Sequence, residues 1–450
     1  MKKTSLKFMA VFTAVFVAVS LLAQEYKVEV KTDKEDAIYD KGQKITFSAQ
    51  VMLDGKPAAG KKVNYLLQGD GNLKKTDSFV SGEKPFTLDE SLDFPGWVQV
   101  KFTVIGEDGK PLKYKDKADK EVAVEAAIGA MVAPLEIKAA GEEPKDFDAF
   151  WKACREELNK VPVKAELVKV DVPAEQQGKF ECYDIKVDCA GGMPVSSFLL
   201  KPVDAKPKSL PAIVSYHGAG VRSAGKPFGY ANNGAIALDV NAHGIANGQP
   251  EEFYKNLREN DLKDYNHRNK NDKDKFYFKG MYMRVMRALD YVKSLPEWDG
   301  KNLIVIGGSQ GGAQSIVAAA LDPQVNLCIA GVPALSEHSG PLAQPQRQAG
   351  WPRLYTLKDG KPDDEAVIKT AAYYDNIYFA KRIKAETYIS TGFIDTTCVP
   401  TGVYAAYNNI PATTKKFMTT TPAVGHGAPN TLGNKRLPEF IKEVKQVEPK

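Results

Sequence analysis

The sequence predicts an α/β protein in which a mostly parallel sheet flanked by helices follows a smaller β-sandwich. Three observations carry this expectation. The length of 450 residues exceeds one average domain and suits two. From Tyr26 to about Val124, short alternating segments are separated by turn residues. Beyond Phe147 the pattern changes to apolar strands alternating with helices, the mark of a parallel sheet covered on both faces.

Each element follows from local composition. Lys2 and Lys3 precede an uncharged stretch, Phe8 to Ala23, that ends in small residues. It is shorter than the roughly 20 residues of a membrane span. Residues 1–23 therefore read as a cleaved signal peptide, and the protein as exported, periplasmic or extracellular, with no membrane span. No Cys follows the apolar run as a lipid-anchor site. Residues 24–125 hold the alternating segments Tyr26–Val30, Ile45–Met52, Val63–Leu67 and Trp97–Val104. Asp54-Gly55, Asp70-Gly71 and Asp108-Gly109 supply tight β connections. Short strands at this spacing predict an immunoglobulin-like sandwich. It contains no polar cluster suited to chemistry and reads as a spacer or packing module, with glycan binding as the alternative. Residues 126–143 are Ala- and Gly-rich and read as a linker.

The region 144–450 opens with Phe147, Phe150 and Trp151 on an amphipathic helix that runs through Leu158. Its buried-strand candidates are Ala212–Tyr216, Ala235–Val240, Leu303–Ile306, Leu327–Gly331, Thr387–Thr391 and Lys416–Thr420. Helices are expected at Lys279–Ser294, Gln310–Ala320, Thr401–Tyr407 and Pro438–Lys445.

Composition narrows the function classes. A hydrophobic share of 43% and a charged share of 26% are ordinary for a soluble globular chain. Net charge is +5, and Lys2, Lys3 and Lys7 of that balance lie in the segment expected to be removed, so no nucleic-acid partner is implied. The run Lys263 to Lys279 also carries Asp264, Asp272 and Asp274 and reads as a solvated loop. The five cysteines, Cys154, Cys182, Cys189, Cys328 and Cys398, are scattered without the close pairs of a zinc site. They read mainly as small buried hydrophobes, with a Cys182–Cys189 bridge as the alternative.

The chemistry is carried by one local motif. Strand Leu303-Ile304-Val305-Ile306 runs into Gly307-Gly308-Ser309-Gln310-Gly311-Gly312, and a helix begins at once. This is the strand–turn–helix context of the G-x-S-x-G nucleophile elbow, and it predicts the α/β-hydrolase fold with Ser309 as nucleophile. A sharp turn exposes the serine hydroxyl and leaves no room for a Cβ at Gly307 or Gly311. In this fold the acid and then the histidine follow the serine on loops after late strands. His426, in Gly425-His426-Gly427, follows the last strand candidate and is the expected base. His338 precedes the late strands and reads as a loop residue near the cleft mouth. Asp395 lies on the loop between Thr387–Thr391 and the helix that Pro400 begins, and is the expected acid. Asp375 precedes that strand and reads as a structural or capping residue. A tetrahedral oxyanion needs donors. The backbone N–H groups of Gln310 and of Ala219, in His217-Gly218-Ala219-Gly220, are the candidates, with His217 tying down its own loop.

These residues resemble the acetyl xylan esterase and cephalosporin-C deacetylase family, carbohydrate esterase family 7. The resemblance runs from Pro144-Lys145-Asp146-Phe147-Asp148-Ala149-Phe150-Trp151 through Tyr216-His217-Gly218 and the elbow to Ala319-Ala320-Leu321-Asp322-Pro323. Tyr374-Asp375-Asn376, Phe379-Ala380-Lys381-Arg382-Ile383, and Asp395 with Cys398 and Pro400 are also similar. It implies a triad of Ser309, Asp395 and His426, oxyanion donors at Ala219 and Gln310, deacetylation of sugars, and no cofactor or metal. The partner it implies is a small-molecule or oligosaccharide ester, and it admits a homo-oligomer. The chain departs from the family at Asn241-Ala242-His243, at Ala219 where the family has Tyr, and at Gly427 where it has Glu. The competing readings are an exported peptidase of the same fold and an inactive glycan-binding relative.

Overall fold

The computed structural model describes residues 26–446. The expected signal segment, 1–23, lies outside the described residues. The N-terminal region is strand-rich and sandwich-like. One sheet contains Tyr26–Thr32, Ile45–Leu53, Lys56–Pro57 and Phe86–Glu90, and the other orders Ile38–Tyr39, Glu125–Val132, Gly96–Ile105, Lys62–Gly69 and Lys74–Val80. Alternation explains the pairing, since Val63, Leu67, Val98, Val100 and Phe102 all point into its core.

The expected linker is corrected here. Residues 125–132 form a full strand, antiparallel to Gly96–Ile105, with Ala130 opposite Val98. Its small residues are a packing requirement rather than a sign of flexibility. A Cβ on Gly129 would sit 2.0 Å from the Phe393 carbonyl oxygen, so only glycine allows the strand to lie against the C-terminal region.

Among the described residues, nine strands of the C-terminal region form one mixed sheet. They are β1 (Ala165–Val170), β2 (Phe180–Val187), β3 (Val195–Pro202), β4 (Leu210–Tyr216), β5 (Ile236–Val240), β6 (Trp298–Gly308), β7 (Val325–Gly331), β8 (Glu386–Gly392) and β9 (Lys416–Thr421). Their order is β1-β2-β3-β5-β4-β6-β7-β8-β9, antiparallel from β1 through β3 to β5 and parallel from β5 onward. The principal helices are α1 (Phe147–Asn159), α2 (Tyr277–Ser294), α3 (Gln310–Leu321), α4 (Pro400–Asn409) and α5 (Thr431–Gln446). This is the α/β-hydrolase fold. Near-continuous burial along β4, β5, β7 and β8 reflects helices on both faces. Parallel strands share one carboxyl end, and the loops gathered there carry every expected site residue.

The two regions share one continuous apolar core that includes both Trp97 and Phe393. Hydrogen bonds among the described residues cross between them. The Trp97 indole N–H donates to the Phe393 carbonyl at 2.6 Å, and the Gly129 N–H donates to the Pro422 carbonyl at 2.9 Å. Thr401 Oγ1 donates to the buried Asp70 carboxylate at 2.6 Å, and the Gly71 N–H donates to the Gln346 carbonyl at 2.7 Å. Among the described residues, no helix is long and apolar enough to cross a membrane. All five cysteines are free, so Cys182 and Cys189 are not bridged.

Candidate active site

Ser309 stands between β6 and α3 with φ 57° and ψ −123°, a conformation that L-residues avoid. Surrounding contacts hold that strain. The Ser309 N–H donates to the Gly331 carbonyl at 2.9 Å, while its own carbonyl accepts from Ala313 and Ala334 at 3.0 Å. Added Cβ atoms at Gly307 and Gly311 would lie 2.4 Å and 2.0 Å from backbone atoms of Gly311 and Tyr216, which explains the glycines of the elbow.

The structure brings Ser309, His426 and Asp395 together. His426 Nε2 is 2.9 Å from Ser309 Oγ, and His426 Nδ1 is 2.9 Å from Asp395 Oδ2. The carboxylate can only accept, so the hydrogen-bond network assigns the proton to Nδ1 and leaves Nε2 to accept from the serine hydroxyl. Asp395 is fully buried, and its other oxygen accepts the N–H groups of Thr397 (2.8 Å) and Cys398 (3.0 Å). The hydrogen bond to Asp395 holds His426 above the ordinary imidazole range, and burial opposes it. The acid and base loops are themselves joined by the Ile394 N–H to the Val424 carbonyl.

The two expected oxyanion donors, Ala219 and Gln310, lie on the turn after β4 and at the start of α3. The Gln310 N–H is the first of α3 and has no intrahelical acceptor, where the helix dipole favours negative charge. Gly218 lies against the elbow, its ideal Cβ position 3.6 Å from Ser309 Cβ, so the turn that carries Ala219 passes against the elbow. Two histidines fix this loop. His217 Nε2 accepts the Ala242 N–H at 3.2 Å, so Nδ1 carries the proton and donates to the Gly218 carbonyl at 2.7 Å. His243 Nε2 faces the Gly220 carbonyl at 3.3 Å and Nδ1 faces Tyr277 Oη at 2.7 Å. Burial pushes His243 down to about 3, so it stays neutral and serves as a brace. The segment Asn241-Ala242-His243, noted only as a departure from the family, is thus the support of the Ala219 loop.

Two sequence expectations change. His338 is not at a cleft mouth. It is buried, and burial pushes it down to about 4. The Lys263–Lys279 run is more than a solvated loop, because buried Tyr265 donates its hydroxyl to Gln310 Oε1 at 2.7 Å and fixes the side chain after Ser309. Its tyrosine carries no distinguishing pattern in sequence. Asp375 caps the helix Asn376–Ala380, accepting from the Ile377, Glu337 and His338 N–H groups, in agreement with the structural reading.

Asp395, Cys398 and His426 place three ligand-type atoms within 4.8 Å of one another. The carboxylate is already engaged by His426 and two N–H groups, and burial pushes the Cys398 thiol far up, so a metal would have to displace the relay and a proton. As built, the arrangement can move a proton from Ser309 and stabilise the cation that results.

Residues 135–444 match the acetyl xylan esterase (AXE1) family. The chain is 37% identical over 293 residues to acetyl esterase Axe7A of Xylanibacter ruminicola, and spans 64% of that relative's length with 64% of its own. An acetyl xylan esterase from Paenibacillus sp. R4 superposes with TM-score 0.56 at 25% identity, over 69% of this chain and 98% of that one. Acetyl xylan esterase 1 from Thermoanaerobacterium sp. shares the fold, with TM-score 0.57 at 24% identity over 69% and 97% of the two chains. The matched residues hold the elbow, both late loops and the Ala219 turn, and by them this chain belongs to the acetyl xylan esterase family.

Proposed function

We propose that the chain is an exported serine esterase that removes acetyl or other small acyl groups from carbohydrates such as acetylated xylan. The observation that carries the reading is the unbroken relay from Ser309 Oγ through His426 to buried Asp395, with both links at 2.9 Å. The word "acetyl" in the names of its relatives supports the acyl group. The Lys2, Lys3 and Phe8-to-Ala23 pattern supports export. The N-terminal region is read as an immunoglobulin-like sandwich that ends at Val132 rather than Glu125.

In this reading His426 Nε2 takes the Ser309 proton as Oγ attacks the ester carbonyl. The N–H groups of Ala219 and Gln310 hold the oxyanion, the second at the positive end of α3. Asp395 keeps Nδ1 protonated and stabilises the imidazolium. His426 then protonates the leaving sugar hydroxyl, and an acyl-enzyme remains on Ser309. Water repeats the sequence and releases the acid. The chain's own groups handle every proton and charge in both steps.

The test is hydrolysis of p-nitrophenyl acetate, butyrate and longer esters by the wild type and by Ser309→Ala. Acetate release lost in the variant is expected, followed by acetate release from acetylated xylo-oligosaccharides. A wild type inert toward every short ester would overturn the reading.

A further inference from the structure

A cleft of about 580 Å³ lies between the sandwich-like region and the C-terminal region. Gln68, Asn72 and Lys74 form one wall, and Gln346, Gln348 and Arg353, on the long connection after β7, form the other. The Gly71 N–H bond to the Gln346 carbonyl joins the walls at one point. The volume is in the range of small-ligand sites, which favour such inter-domain positions.

The lining has a distinct chemistry. Among the described residues, the side-chain amides of Gln68, Asn72, Gln346 and Gln348 make no hydrogen bond within the protein, and no carboxylate lines the cleft. Each amide offers two N–H donors and an acceptor oxygen. Four of them facing one space match a ligand whose hydroxyls both donate and accept. Lys74 and Arg353 stand in no ion pair among the described residues, so the cleft also carries uncompensated positive charge. One wall of the cleft is tied to the loop that carries Asp395. The Arg353 guanidinium donates to the carbonyl of Thr396, the residue after Asp395, and the Trp351 N–H donates to the Thr397 carbonyl at 3.0 Å. One wall of the cleft is therefore continuous with the acid loop.

We propose that this cleft is a subsite for an oligosaccharide chain bearing acidic sugars. Amides would meet its hydroxyls, and Lys74 and Arg353 would meet its carboxylates. The proposal rests on the esterase reading for the acyl group, and assigns to this cleft the glycan that carries that group. One of its two walls lies outside residues 135–444, so the family match does not include it. The sandwich-like region thereby becomes part of substrate recognition rather than a spacer.

The test combines calorimetric titration with kinetics, using the full chain and an Asn72→Ala/Lys74→Ala/Gln348→Ala variant. The first probe is deacetylated xylohexaose carrying a glucuronic acid branch, which needs no turnover. The wild type is expected to bind it more tightly than unbranched xylohexaose, and the variant to bind it at least tenfold more weakly. The ratio of kcat/KM on the acetylated branched oligosaccharide to that on p-nitrophenyl acetate is expected to fall about tenfold in the variant. Equal binding by both proteins, no binding by the wild type, or no preference for the branched probe would overturn the proposal. A wild type that cleaves p-nitrophenyl acetate but no acetylated oligosaccharide would overturn the carbohydrate reading above, and the titration would still decide the cleft.

Discussion

Trp97→Phe tests whether the sandwich-like region holds the acid loop in place. Trp97 is fully buried, and its indole N–H donates at 2.6 Å to the carbonyl of Phe393, two residues before Asp395. Phenylalanine keeps most of the apolar surface but removes the donor. Leaving a buried carbonyl unsatisfied costs about 1–3 kcal/mol. The void left by the smaller ring adds about 1 kcal/mol. The total of about 2–4 kcal/mol is expected to lower Tm by several degrees. The activity effect is separable from stability. If the carbonyl relaxes, the Asp395 loop shifts, and a displacement near 1 Å costs up to about 100-fold in rate. The expectation is a fall of about 10- to 100-fold in kcat on p-nitrophenyl acetate with KM nearly constant. Asp395 is what raises the His426 pKa, so a loosened hydrogen bond lets that pKa fall. In the proposed mechanism the neutral imidazole is the base, so the acidic limb of kcat then moves to lower pH. Phe102→Leu is the control. Phe102 is equally buried but packs against Tyr65, Phe79 and Phe86 inside the sandwich-like region. If Trp97→Phe lowers Tm but leaves kcat and the acidic limb where Phe102→Leu leaves them, the reasoning is refuted and the region is only docked.

Three further outcomes are expected. Asp395→Asn removes the acceptor of the His426 Nδ1 proton, so kcat should fall about 10³- to 10⁴-fold, with the acidic limb displaced to lower pH in a rate–pH profile. Gly129→Ala would place a Cβ 2.0 Å from the Phe393 carbonyl oxygen, and calorimetry should register a Tm loss of several degrees with at least a tenfold fall in kcat. Glu337 is fully buried, and burial outweighs the Arg347 guanidinium 3.0 Å away, pushing its carboxyl up to about 8. Between the ordinary carboxylate range and that value the folded state keeps a proton that the unfolded chain has released. Stability therefore falls as pH rises through the window, and Asp70 and Asp375, pushed up to about 6, add to the lower part of the slope. Glu337→Gln should flatten the decline in Tm between about pH 5 and pH 8 measured by thermal unfolding, and an unchanged slope would contradict the assignment.

The parts of this molecule legible in the sequence are those encoded by neighbours along the chain. The buried strands β4 to β8 announced themselves as apolar runs, and the elbow as a strand, a glycine-flanked serine and a helix close together in the chain, whereas β9, expected as a buried strand, lies half-buried to exposed at the sheet edge. Chain order then singled out Asp395 and His426, and the structure sets their side chains in line with Ser309. Strand β1 went unread because it is mostly exposed and sits at a sheet edge, where the alternation of burial is weak, and the buried strand β3 went unread because its Ser196-Ser197 pair interrupts the apolar run. Residues 126–132 were misread because small residues suit a linker and a close-packed strand equally well.

By itself the sequence determined the fold class, the elbow and the order of the three site residues, because turn strain, helix initiation and hydrophobic periodicity are local properties. Only the tertiary structure decided what braces them. The bond from Trp97 to the acid loop, the grip of Tyr265 on Gln310, the burial of His338 and the polar cleft between the two regions all join residues far apart in the chain. Such contacts depend on how two surfaces meet, and no periodicity along one chain encodes which distant carbonyl a buried donor will find.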